Sequence, residues 1–132
     1  IKWFRIHVET SYDKINSLSD DYLKSILNKF KGKVTRVRWA VANPGMKMQP
    51  HIDYDTVYAV RYHLPIITNK EALICVDRHG EIEKINMKAN GKVYFVNQGF
   101  KHWIENNSKD PRVHLIITVV GQEDLIDCLH IQ

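Results

Sequence analysis

The sequence predicts a single, mainly β domain, an antiparallel sandwich or barrel with one N-terminal helix packed on its sheet. After residue 32, segments rich in β-branched and aromatic residues recur at roughly ten-residue spacing and are separated by turn residues. Before that point, a single stretch carries apolar residues at helical spacing. The chain has 132 residues and no internal repeat, low-complexity tract or flexible linker, which suits one core.

Residues 1–32 predict one strand followed by one helix. The apolar residues between positions 3 and 8 favour the strand. Ser17 or Ser19 can cap the helix, and Gly32 can end it. The apolar stripe of this helix comprises Leu18, Tyr22, Leu23, Ile26, Leu27 and Phe30. We interpret the stripe as packing against a sheet, without a role in chemistry.

The barrel core is predicted over about residues 33–120. Its strands are expected at 34–42, 57–67, 73–76, 82–87, 93–96, 103–105 and 112–120. Turn signals separate them, and Asn90-Gly91 in particular favours a two-residue hairpin. Residues 121–132 are expected to form a tail, with a short helix over 123–129.

Composition favours a cytoplasmic protein without a membrane segment. The longest apolar run, 113–120, is far too short to span a bilayer. The first residues lack the apolar core and cleavage site of a secretory signal. Cys75 and Cys128 are far apart and outside any C-x-x-C spacing, which is typical of reduced thiols.

The charge balance argues against a nucleic-acid partner. The formal net charge is +4, and the lysines are scattered, with the densest run at 29–33. A run of this kind usually forms a solvated face. A basic cleft for small carboxylates explains the balance equally well.

The segment His51-Ile52-Asp53 places an imidazole and a carboxylate two residues apart. In an extended segment these side chains point to the same side, so both can converge on one point. A second imidazole would complete the two-histidine, one-carboxylate set that leaves positions open on iron(II) for oxygen activation. Asp55 shares a face with Asp53 and competes with it, although the H-x-D spacing favours Asp53.

Several histidines are candidates for the second imidazole. They are His63, His79, His102, His114 and His130. His79 lies in a predicted turn and His130 in the tail, whereas His102 opens a predicted strand. Ten residues later Arg112 opens the final strand, where its guanidinium can bind a carboxylate of a dicarboxylate co-substrate as a bidentate pair.

Three segments between about residues 50 and 125 carry a family resemblance. Arg61-Tyr62-His63-Leu64-Pro65 resembles an R-x-H-L segment. The residues 91–95 followed by 100–102 resemble a G-K-V…F…F-x-H block, and the residues 112–116 resemble an R-x-x-L-I/F segment. On these motifs the chain resembles the aspartyl/asparaginyl β-hydroxylase family of 2-oxoglutarate- and Fe(II)-dependent oxygenases, in the cupin superfamily.

The resemblance implies a double-stranded β-helix, the jelly-roll or cupin fold. It implies iron ligands at His51 and His102, with Asp53 as the triad carboxylate, and a 2-oxoglutarate salt bridge at Arg112. It also implies that Arg61 and His63 face the site. We expect His63 to meet the metal-proximal carboxylate of 2-oxoglutarate, and Arg61 to meet a carboxylate or carbonyl of the substrate.

Asp53 also indicates which members of this family the chain resembles most. The animal peptidyl-aspartyl hydroxylases have a glycine at the triad carboxylate, so the chain is more similar to bacterial or phage-like members with a full H-x-D…H triad. The implied activity is hydroxylation of an amino acid or peptidyl residue by dioxygen, with release of succinate and carbon dioxide. The alternatives are a cupin-type metal enzyme that does not use 2-oxoglutarate and a non-enzymatic β-barrel module for a small ligand or peptide.

Overall fold

The computed structural model describes residues 21–53 and 55–130. The elements in chain order are α1 (Asp21–Leu27), β1 (Lys33–Ala42), β2 (Ala59–Ile67), β3 (Ala72–Arg78), β4 (Glu81–Ile85), β5 (Tyr94–Phe95), β6 (Lys101–Asn106), β7 (Arg112–Val120) and α2 (Glu123–His130). The opening strand and the serine cap expected from the sequence lie outside the described residues. No helix of the described part is long and apolar enough to cross a bilayer.

The strands form two antiparallel sheets, one in the order β1-β7-β2-β5 and the other in the order β4-β3-β6. The segment 45–51 runs along the free edge of β6, where the Met48 N–H donates to the Ile104 carbonyl oxygen at 2.9 Å. Apart from β3 and β4, which pair within one sheet, successive extended segments therefore alternate between the two sheets, as in a double-stranded β-helix. The predicted mainly β fold with one helix near the N-terminus is confirmed.

β2 and β7 are neighbours and have two faces of different character. On one face a buried apolar cluster packs with α1, and its members are Leu27, Val60, Tyr62, Leu64, Leu115, Ile117 and Val119. Burying each such side chain stabilises the fold by roughly 1.5–3 kcal/mol relative to exposure. Because side chains alternate along a strand, the intervening residues lie on the opposite face. That face is polar and buried, and it includes His63, Arg112, His114 and Thr118.

Two local predictions are wrong. Tyr22 is 73% exposed, so it does not belong to the packed stripe of α1. Asn90-Gly91 does make a turn, with Gly91 at a φ of +78°, but it does not close a hairpin. β4 pairs with β3, whereas β5 pairs with β2 in the other sheet. The turn lies where the chain crosses from one sheet to the other. The residues of the turn itself do not determine which sheet the next strand joins.

Candidate metal centre

The backbone holds His51 and His102 opposite each other, with their ring planes tilted by 55°. The two residues exchange both N–H to carbonyl hydrogen bonds, at 3.0 and 2.9 Å. Their ring centroids lie 4.4 Å apart. The Asp53 N–H donates to the Gln98 carbonyl oxygen at 3.0 Å, which holds the carboxylate beside the two rings. Ligand atoms of His51, Asp53 and His102 all lie within 4.8 Å of one another.

The hydrogen bonds of both imidazoles determine which ring nitrogen faces the centre. His51 Nδ1 lies 2.9 Å from the Gln49 carbonyl oxygen, and His102 Nδ1 lies 2.9 Å from that of Phe100. A carbonyl oxygen only accepts, so each Nδ1 carries a proton, and a ring without a second proton on Nε2 has a lone pair there that faces the centre. These Nε2 atoms lie 3.9 Å (His51) and 3.4 Å (His102) from Asp53 Oδ2. The donor set fits a divalent transition-metal ion.

Asp53 is ionised at neutral pH. Burial alone would raise the pKa of Asp53, but the hydrogen bond with His102 and the charge of Arg61 lower it below its usual range. Arg61 Nη1 donates to Asp53 Oδ2 at 2.8 Å. The competing carboxylate, Asp55, is exposed and accepts the Val57 N–H at 2.8 Å, and it is not part of the cluster.

The centre is open on one side. The His51 side chain is 39% exposed, whereas that of His102 is 8% exposed. An ion or a small substrate can therefore approach past His51, while the chain closes the side of His102.

Arg112 is a buried cation with unused donors. It is 2% exposed, and its Nε and Nη1 have no hydrogen-bond partner among the described residues. Burial lowers the pKa of Arg112 to about 10, which leaves the guanidinium protonated at pH 7. A buried charge of this kind is costly unless an anion meets it. The buried guanidinium of Arg112 therefore suits the carboxylate of a bound ligand.

His63 and His114 form a buried pair between β2 and β7. His63 stands opposite Ile116, and Pro65 stands opposite His114, so the two histidines are diagonal neighbours across the strands. Their Nδ1 atoms lie 3.3 Å apart, and the ring planes meet at 83°. Both Nε2 atoms have no hydrogen-bond partner among the described residues.

Both imidazoles of this pair are neutral at pH 7. Burial lowers the pKa of His63 well below its usual range, and the neighbouring His114 and Arg112 lower it further. Burial, together with the charge of Arg112, lowers the pKa of His114 to about 3. Two uncharged histidines thus lie buried beside the guanidinium of Arg112.

We expect the free energy of unfolding to fall as the pH is lowered from 7.5 to 5. Below a pH of about 6.5 an unfolded histidine binds a proton that folded His63 and His114 do not bind, so acid favours the unfolded state. At pH 5, His114 alone accounts for a loss of about 2 kcal/mol, from a slope of 1.36 kcal/mol per pH unit below 6.5. His63 adds a loss of the same sign. Urea unfolding at both pH values measures the difference.

His114→Asn provides the control for this pH dependence. It removes one of the two protonation sites, so its loss of stability between pH 7.5 and pH 5 should be smaller than that of the wild type. An equal loss in both proteins would contradict the assignment. Asp53 does not interfere, since its pKa lies below the usual value of 3.8 for this side chain.

The structure brings together the three residues expected from the H-x-D pattern and the second imidazole, namely His51, Asp53 and His102. Their roles, and those of Arg61, His63 and Arg112, stay predictions. Sequence reasoning did not place His114 in the site. A signal was present, because His114 follows Arg112 by two residues on β7 and thus shares its face.

A double-stranded β-helix in which two imidazoles and one carboxylate converge beside the edge strand β6 defines a cupin-fold protein with a candidate metal centre. The family model described as aspartyl/asparaginyl beta-hydroxylase matches residues 14–121. The chain therefore belongs to the aspartyl/asparaginyl β-hydroxylase family. This membership and the triad support a metal-dependent, hydroxylase-type role.

Solved structures resemble the chain in fold. A cupin domain from Bordetella pertussis has a TM-score of 0.50 and 15% identity, covering 70% of this chain and 88% of that chain. A predicted oxalate decarboxylase from Thermotoga maritima has a TM-score of 0.47 and 18% identity, covering 74% and 72%. A Klebsiella pneumoniae protein with a double-stranded β-helix domain has a TM-score of 0.45 and 14% identity, covering 89% and 90%. Among curated proteins, none matches the chain significantly.

Proposed function

We propose that the protein is an Fe(II)- and 2-oxoglutarate-dependent dioxygenase that hydroxylates an amino acid or a peptidyl residue. The observation that carries this proposal is the pairing of a two-histidine, one-carboxylate cluster with a buried guanidinium whose Nε and Nη1 lack partners among the described residues. A metal site alone would suit many cupins, whereas a metal site with a buried cation suits a chelating co-substrate that carries a second carboxylate.

In this proposal His51, Asp53 and His102 hold Fe(II). Their role is to bind the ion through two Nε2 lone pairs and one carboxylate oxygen and to leave the remaining positions free. When bound, iron and 2-oxoglutarate supply the chemistry that transfers one oxygen atom of dioxygen to the substrate and releases succinate and carbon dioxide. The hydrogen bonds of both Nδ1 atoms to carbonyl oxygens keep the rings in the tautomer that this binding needs.

Arg112 and His63 bind the two carboxylates of 2-oxoglutarate in this scheme. Arg112 takes the distal carboxylate as a charge-assisted pair, and His63 takes the metal-proximal one through Nε2. Both side chains are nearly excluded from water, at 2% and 3% exposure, so these interactions are weakly screened. The co-substrate would thereby satisfy donors that otherwise have no partner among the described residues.

Arg61 has two roles in the proposal. Its hydrogen bond to Asp53 orients the carboxylate of the metal site. Arg61 and His63 are also two residues apart on β2 and share its polar face, so Arg61 is placed to meet a carboxylate or carbonyl of the substrate.

The test is substrate-stimulated turnover of 2-oxoglutarate. Protein reconstituted anaerobically with Fe(II) and 2-oxoglutarate is exposed to oxygen in the presence of single amino acids or peptides, and succinate is measured. We expect succinate release that depends on both Fe(II) and the substrate. The same protein loaded with Zn(II), an ion without redox chemistry, should release none.

Titration of the protein with metal and with 2-oxoglutarate distinguishes the proposed dioxygenase from the two alternative functions. A cupin enzyme that does not use 2-oxoglutarate would bind metal but not the co-substrate. A non-enzymatic module would bind neither, and that result would overturn the proposal.

A further inference from the structure

The contact between His63 and His114 restricts their tautomers. Their Nδ1 atoms lie 3.3 Å apart, and both side chains are at most 3% exposed. A hydrogen bond between two ring nitrogens needs one N–H and one lone pair, and a neutral imidazole has a single N–H. One ring is therefore protonated on Nδ1 and the other on Nε2. The low pKa values of both residues support the neutral form of the pair.

Arg112 and the proposed co-substrate together select one of the two possible assignments. It precedes His114 by two residues on β7, so the two side chains lie on the same face of the strand. A guanidinium offers only N–H donors, and Nε and Nη1 of Arg112 have no partner among the described residues. The charge of Arg112 lowers the pKa of both histidines, so a lone pair on the Nε2 of either ring suits it. A carboxylate bound at His63 requires the N–H on that ring, which leaves the lone pair on His114 Nε2. The proton of His114 then lies on Nδ1, and that of His63 on Nε2.

We propose that His114 is a positioning residue that holds His63 in the Nε2–H tautomer, so that His63 presents a donor to a carboxylate of 2-oxoglutarate. A carboxylate only accepts hydrogen bonds, so the opposite tautomer would set a lone pair against it. His114 acts through His63 and does not itself touch the co-substrate. This inference rests on the proposed function.

His114→Asn and His114→Leu form a matched pair for the test. The two side chains are similar in size, but only the amide N–H of asparagine can donate to His63 Nδ1 as the Nδ1–H of His114 does. The readout is the affinity for 2-oxoglutarate, measured by calorimetry on Zn(II)-loaded protein, which needs no turnover. We expect His114→Asn to stay within about threefold of the wild type and His114→Leu to bind roughly tenfold or more weakly, as for loss of a buried hydrogen bond to a charged group.

The tautomers themselves are a second readout. Nitrogen-15 NMR of the wild-type, Zn(II)-loaded protein should show His114 protonated on Nδ1 and His63 on Nε2, and added 2-oxoglutarate should keep this state. The opposite assignment in the presence of 2-oxoglutarate would overturn the inference. This measurement decides the question even if His114→Leu does not fold.

Different results would overturn the proposed function and the positioning role of His114. If the wild type does not bind 2-oxoglutarate, the proposed function is overturned, and the role of His114 with it. If the wild type binds 2-oxoglutarate and both variants bind it equally well, only the role of His114 is overturned.

Discussion

Replacing Asp53 by alanine is expected to abolish stable metal binding and to lower turnover by more than about 100-fold. Loss of a group that merely supports a metal ligand typically costs 10–100-fold in metal affinity or activity, and Asp53 is the carboxylate of the set itself. Its pKa is held below the usual range, so at neutral pH it contributes a full negative charge that two neutral imidazoles cannot replace. Metal affinity is measured by competition with a chromophoric chelator, and turnover is measured by succinate release.

Asp55→Asn is the matched control. Asp55 is exposed and accepts the Val57 N–H through Oδ1, a contact that the carbonyl oxygen of asparagine can keep. Metal affinity should be unchanged in this variant. If Asp55→Asn lost the metal while Asp53→Ala retained it, the carboxylate of the site would have to be reassigned to Asp55.

Arg112→Met is expected to weaken 2-oxoglutarate binding by roughly 30-fold to several thousand-fold and to leave metal affinity nearly unchanged. Removing one partner of a buried, hydrogen-bonded charge pair costs about 2–5 kcal/mol, which corresponds to this range of affinity. Methionine keeps much of the length of arginine and suits the buried position without its charge. Calorimetric titration of the Zn(II)-loaded variant with 2-oxoglutarate measures the loss, and a chelator competition measures the metal.

Two further substitutions test whether the loss of affinity depends on the guanidinium of Arg112. Arg112→Lys keeps the charge but lacks the planar fork, so its affinity should fall between those of the wild type and Arg112→Met. Arg78→Met removes an exposed arginine that pairs with Glu83 at 3.5 Å, and it should leave the affinity unchanged. Wild-type activity of Arg112→Met in the absence of 2-oxoglutarate would favour a cupin enzyme that does not use this co-substrate.

Local patterns were sufficient for much of the fold. The final strand was predicted over 112–120 and spans those same residues as β7, because a run rich in β-branched residues lies between turn residues on both sides. The short helix expected over 123–129 is present as α2. The H-x-D spacing likewise predicted that His51 and Asp53 converge, since i and i+2 side chains of an extended segment share a side.

The sequence by itself therefore determined the fold class, the family and the pair His51 and Asp53, because periodicity and motif spacing are local properties of the chain. Only the tertiary structure decided which distant residues meet. It set His102 against His51, Arg61 on Asp53, and His63 against His114. It also placed Asn90-Gly91 at a crossing between sheets instead of in a hairpin. These contacts depend on the register between strands that are far apart in the chain, and on the burial that register produces, neither of which any short segment encodes.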